Sequence, residues 1–219
     1  MKKKFITLVM IFAIAFPMLA TPLQAEAKTK QRLQGQCYSQ QAIDLYSAQR
    51  RLWKDHVYWT RSYIVSALSG LENKDAVLKR LLQNQLDIGN SIKPYYGDAA
   101  GNELGKLLTE HIVIAGQLVD AMSKGDKVNA QKYNKEWYRN ADDIAKFLSK
   151  ANPNWSEQEL KDLLYMHLKL LTDEVVAMLN KDWAGEIAAF DKGEDHIILL
   201  ADEITNGVMK QFPNQFRNQ

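Results

Sequence analysis

Apolar residues recur at intervals of three and four along most of the chain, and no stretch alternates apolar and polar residues long enough to suggest a strand. The pattern predicts an all-α fold. Pro94 in KPYYG, Pro153 in NPNW and Pro213 in KQFPN each close a long helical segment, because proline cannot continue a helix. Shorter turns fall at 70–74, 124–126 and 180–182, where Gly70, Gly125 and Asn180 suit the left-handed residue that ends a helix. Ser156-Glu157-Gln158-Glu159 is a capping box that opens the fifth helix. Six long helices result, arranged as three antiparallel hairpins at about 50–97, 102–153 and 156–213, with residues 50–219 forming one helical-bundle domain. Residues 28–49 form an N-terminal lead-in.

The spacing also predicts an internal repeat. His56 to His111 is 55 residues and His111 to His167 is 56, while Asn84 to Asn140 and Asp87 to Asp143 are each 56. NQLDIG at 84–89, NADDIA at 140–145 and LADEIT at 200–205 align, which places a small insertion in the third hairpin near residues 183–193. The expected architecture is a bundle with pseudo-threefold internal repetition.

The repeated histidines share one helical phase. Counting from each imidazole, positions −4, −3, +1, +4, +8 and +11 are apolar or small in nearly every copy. Around His167, for example, they are Leu163, Leu164, Leu168, Leu171, Val175 and Met178. They cover an arc of about −40° to 100° that contains the histidine, so His56, His111 and His167 should point inward. A buried imidazole needs a partner for each nitrogen, or it costs about 1–3 kcal/mol. Two readings follow. Each histidine hydrogen-bonds locally and braces its hairpin, or the three converge on one divalent transition metal, zinc being the natural choice for a three-histidine site with an open position. Glu174, seven residues past His167 on the same stripe, would then be a fourth ligand or a water-positioning base. Geometry separates the readings. Around a threefold axis the imidazoles can meet, whereas side-by-side hairpins keep helices about 8–10 Å apart and the histidines in a row.

Other polar positions carry less. Asp87, Asp143 and Glu203 lie roughly opposite the apolar arc and read as solvent-facing, and His196 reads as exposed or as part of a second polar site with Asp202 or Glu203. The segments 93–101 and 151–155 read as loops, whose aromatics either cap the core or line a pocket for a ligand such as a sugar. The Glu-x-x-His pairs of ferritin-like diiron bundles, calcium and phosphate loops, nucleophile elbows and His-Glu-x-x-His zinc motifs are all missing from the sequence.

Composition adds a compartment. Lys2, Lys3 and Lys4, an apolar run over 5–19 and Ala25-Glu26-Ala27 read as a secretory signal peptide over residues 1–27. Its removal leaves 25 basic and 25 acidic residues, a balance without the footprint of a nucleic-acid binder. No later stretch reaches the roughly 20 apolar residues of a transmembrane helix. The expected location is outside the cell or retained at its envelope. Cys37 is the chain's single cysteine, so disulfides within the chain do not hold this fold.

LWKDHVYWTR, NQLDIGNSIKPYYG and WYRNADDIAKFL together resemble uncharacterised secreted helical proteins of Gram-positive bacteria. That resemblance covers most of the mature chain and implies no activity or catalytic residue. The functional expectation therefore comes from the residues. It is a binding protein with a buried histidine-centred metal or small-ligand site. The alternatives are a structural or interaction module contacting a cell-envelope component, and a metal-dependent hydrolase using His56, His111, His167 and Glu174.

Overall fold

The computed structural model describes residues 38–217, so the signal peptide and Cys37 lie outside the described residues. Six helices account for almost all of that span: α1 (Gln40–Leu68), α2 (Lys74–Ser91), α3 (Lys93–Ser123), α4 (Lys127–Ala151), α5 (Glu157–Leu179) and α6 (Trp183–Gln211). A 3₁₀ turn, Pro213–Gln215, follows α6. The described residues are all-helical, and none of their helices is long and apolar enough to cross a membrane.

Side-chain caps set most of the starts, because the first N–H groups of a helix have no partner within it. Ser39 accepts from Ala42 N at α1, Asp126 from Asn129 N at α4, Ser156 from Glu159 N at α5 and Asp182 from Gly185 N at α6. The Ser156 cap is the one the capping-box pattern anticipates.

Three boundaries differ from the sequence expectation. Helix α1 begins at Gln40, inside the stretch assigned to the lead-in, because Ser39 caps it and its first turns pack on α6 through Tyr46–Asn206 and Arg50–Asp202. Residues 93–101 are not a loop between hairpins. They are the opening turns of α3, with Pro94 in its first turn, where the missing N–H is not needed and the fixed φ already suits a helix. The strain of joining two elements there is taken by Gly97, whose φ of 80° marks a kink inside α3. In the turn between α5 and α6 the left-handed residue is Lys181, not Asn180.

Consecutive helices pack on one another, and α6 also packs on α1. The core is dominated by Leu, Ile and Trp137, and bulky apolar residues on all six helices are fully or nearly excluded from solvent. Where helices cross most tightly, glycine is required. A Cβ on Gly89 would sit 2.4 Å from Gly101 O, and one on Gly207 would sit 1.8 Å from Trp155 Nε1. At the end of the molecule near Trp155, Tyr95, Tyr96, Trp155, Phe212 and Phe216 stack on one another. Tyr96 donates to Gln211 Oε1 (2.8 Å) and accepts from Asn152 Nδ2 (2.9 Å). Trp155 is only 2% exposed, so these aromatics close the core and do not line a sugar-stacking pocket.

Two glycines of α6 test this packing. Gly207→Ala must displace Trp155, with a cost of about 2–3 kcal/mol and a drop of roughly 5–10 °C in Tm. Gly193→Ala meets no atom within 4 Å and replaces a poor helix former, so a gain of about 0.5–1 kcal/mol is expected. Thermal denaturation of both variants checks the pair.

Candidate functional site

Helices α1, α3 and α5 each bring one histidine into the core. His56 is 2%, His111 3% and His167 4% exposed, as their shared helical phase requires. The ring of His167 lies 5.4 Å from that of His56 and 6.2 Å from that of His111, centroid to centroid. The side chains are thus neighbours, closer than a row of separate hairpins would permit.

Helix α4 closes the hydrogen bonding of His111. Its Nδ1–H donates to Asn140 Oδ1 at 2.8 Å, and its Nε2 accepts from the indole N–H of Trp137 at 3.0 Å. The assignment is forced from both sides. An indole can only donate, and the Asn140 amide is oriented by donation from Nδ2 to Leu107 O (3.1 Å). His111 is therefore a neutral imidazole with its proton on Nδ1 and no lone pair left for a ligand. Helix α2 holds His56 similarly. Gln85 donates through Nε2 to Leu81 O and Asn84 Oδ1, which leaves Oε1 to accept from His56 Nδ1–H at 3.2 Å. His56 then carries its lone pair on Nε2.

His167 is different: its Nε2 is buried and has no hydrogen-bond partner. The reason lies in α6. Asn84 donates to Leu52 O and Asn140 to Leu107 O, each the carbonyl four residues before a histidine. His196 Nε2–H donates to Leu163 O at 2.7 Å, the same carbonyl position before His167. His196 thus stands where the other sets have asparagine, 56 residues after Asn140, and the alignment of 200–205 with an upstream insertion misplaces the register. At the same 56-residue step, Ile197 follows Gln85 and Ala141, and Gly193 follows Trp137. The third set supplies neither an acceptor nor an indole.

Burial dominates the proton affinities. It lowers His56 to about 3, with the nearby His111 adding to the effect and the Gln85 bond opposing it. It lowers His111 to about 4 against the Asn140 bond. It holds His167 well below the usual imidazole range, reinforced by His56, His111 and His196.

Glu174 is buried as expected, at 2% exposure, but it is not beside the imidazoles. Seven residues of helix carry it about 10 Å along α5 from His167. The charged groups acting on it are Arg61 of α1 and Glu186 of α6. Burial raises its carboxyl to about 7, with Arg61 opposing and Glu186 adding. Among the described residues, no set of three or more His, Cys, Asp or Glu side chains is arranged to hold a metal ion. His196 is half-buried and forms no site with Asp202, which instead pairs with Arg50 at 2.6–2.7 Å. Asp87 and Asp143 make solvent-side contacts with Gln83 and Arg139 on their own helices. Trp137, Asn140 and Gln85 are site residues that helical phase could not single out. The interval of 29 residues from His56 to Gln85 and from His111 to Asn140 was the available signal.

Comparison of the chain with known protein families, curated proteins and solved structures gives no match. The chemistry of the site is therefore argued from its geometry.

The buried imidazoles make stability depend on pH in a defined direction. Their folded proton affinities lie below the unfolded value, so the unfolded chain binds more protons, and stability is lost as pH falls below about 6.5. Glu174 acts oppositely, since its raised affinity favours the folded state as pH falls from about 7 towards 4.5. Three imidazoles outweigh one carboxyl. Urea unfolding should show a net loss of roughly 3 kcal/mol between pH 7 and pH 5. A flat profile would contradict the neutral, buried state of the histidines.

Proposed function

We propose that the protein is an exported binding protein. Its α1–α2, α3–α4 and α5–α6 hairpins surround a pseudo-threefold axis, and its histidine centre takes a divalent transition metal, zinc first. The observation that carries this reading is His167 Nε2, a fully buried ring nitrogen without a partner beside another imidazole. Buried polar atoms of this kind are rare and ask for an occupant. Two imidazoles bound to one ion at about 2.0–2.1 Å place their ring centres about 5–6 Å apart. The 5.4 Å between His56 and His167 suits that arrangement, with His56 Nε2 offering its lone pair. His111 supports the pair and does not ligate, and an outside molecule completes the coordination.

The three equivalent carbonyl contacts, from Asn84, Asn140 and His196, support the threefold reading. The second reading, a structural or interaction module at the cell envelope, is favoured by the closed hydrogen bonding of His111. In that case all three histidines are braces. The hydrolase reading has less behind it, because Glu174 faces Arg61 and Glu186.

Zinc supplied during refolding, followed by metal analysis, separates the two. The binding reading expects about one equivalent, lost in His167→Ala and His56→Ala, with a higher Tm for the zinc-loaded protein. In His111→Ala stability falls by about 2–4 kcal/mol through the orphaned Asn140 and Trp137. Less than about a tenth of an equivalent in the parent protein leaves the brace reading standing and ends the metal one.

A further inference from the structure

A second polar centre lies two turns along α5 from the histidines, and it adjoins a cavity. Arg61, Val65 and Leu68 of α1, Met178 and Leu179 of α5, Lys181 of the following turn, and Trp183 and Glu186 of α6 line a pocket of about 360 Å³. Glu186 is 4% exposed and faces this space. Arg61 Nη2 is 2.5 Å from Glu186 Oε1, yet the angle does not make a hydrogen bond and leaves that oxygen without one. Arg61 is held in place by the Phe190 ring, 4.3 Å from its guanidinium carbon. One turn before Met178 lies Glu174, whose Oε1 is also buried without a partner. Two buried carboxyl groups therefore share one guanidinium.

That count determines the ligand. A second carboxylate in an apolar site ionises only beside a second cation, and without one it keeps its proton. Glu174 does so at neutral pH, with burial as the main cause. The proton stands in for a positive group that the protein does not bury. The remaining walls fit an apolar body attached to such a group. Val65, Leu68, Met178 and Leu179 are aliphatic, and Trp183, 58% exposed, offers an indole face at the rim. Lys181 at the rim is the one further cation lining the pocket, and it competes with a ligand for the same carboxylates.

We propose that this pocket binds an organic monocation, a primary ammonium on a short alkyl chain, with Glu174 and Glu186 holding the charge and Trp183 covering the chain. On binding, the Glu174 carboxyl gives its proton to solvent and becomes the carboxylate that pairs with the ammonium. No covalent bond changes.

Hexylammonium chloride is the probe, with hexanoate and hexanol as controls, titrated calorimetrically at pH 6 in two buffers of different ionisation enthalpy. Hexylammonium should bind with release of about one proton per ligand, because Glu174 begins protonated. Binding should tighten between pH 6 and pH 8. Glu174→Gln should abolish proton release and weaken binding about tenfold or more, the loss of one charge-assisted contact. Trp183→Ala, at an exposed rim position, should also weaken binding with the fold intact, and Lys181→Ala should strengthen it. His167→Ala should leave the affinity unchanged, which keeps this test separate from the zinc test. Hexanoate or hexanol binding as tightly as hexylammonium, no detectable binding, or unchanged binding in Glu174→Gln would each overturn the proposal.

Discussion

A buried imidazole has two nitrogens of opposite character, and the core must supply an acceptor for one and a donor for the other. His111 shows the requirement met in full. Asn140 takes the Nδ1 proton and the Trp137 indole gives one to Nε2. Both partners sit on α4 within one turn of each other, so the register of α4 against α3 follows from this contact. The same amide also ties to Leu107 O, which binds the side-chain network to the α3 backbone. Apolar packing brings the helices together without much directional preference. The amide–imidazole–indole chain selects one sliding position and one rotation, since a shifted register would leave several buried polar atoms unpaired.

The three histidines meet that requirement unequally, and the inequality gives the molecule its chemistry. His56 keeps the amide partner but not an indole donation, because Leu81 stands where Trp137 would lie. His167 has neither, with Ile197 and Gly193 at the corresponding places. A closed, a half-closed and an open imidazole thus share one neighbourhood. Further along α5, Glu174 repeats the theme with a carboxyl group, held neutral by burial near Arg61 and Glu186. Helix α5 carries both unsatisfied groups on one stripe, and every other part of that stripe is apolar. Unpaired polar atoms in such surroundings cost stability, which makes them candidates for function and not for folding.

Much of this was legible in the residues. The inward phase of His56, His111, His167 and Glu174 follows from counting 100° steps, and the capping box at Ser156 is a local signal with a local cause. What failed, failed for identifiable reasons. Pro94 reads equally well as the end of one helix or the first turn of the next, and only the packing of α3 decides. Periodicity states which face is buried but not which neighbour it meets, so Glu174 was grouped with imidazoles that share its stripe, whereas Arg61 and Glu186 arrive from other helices. The third register went astray because similarity of residue type favoured LADEIT, while the carbonyl contact is kept by His196, a different residue with the same donor.

The central claim is that one imidazole is closed by its neighbours and another is open beside it. Nitrogen-15 NMR of the histidine-labelled protein reads this directly, because the two ring nitrogens report their protonation separately. His111 and His56 should both appear as the Nδ1–H tautomer, with no titration between pH 8 and pH 5 while the protein stays folded. On addition of zinc during refolding, the ring nitrogens of His167 and His56 should shift and those of His111 should not. A titrating His111, an Nε2–H tautomer at that residue, or a zinc shift at His111 that spares His167 would contradict the account.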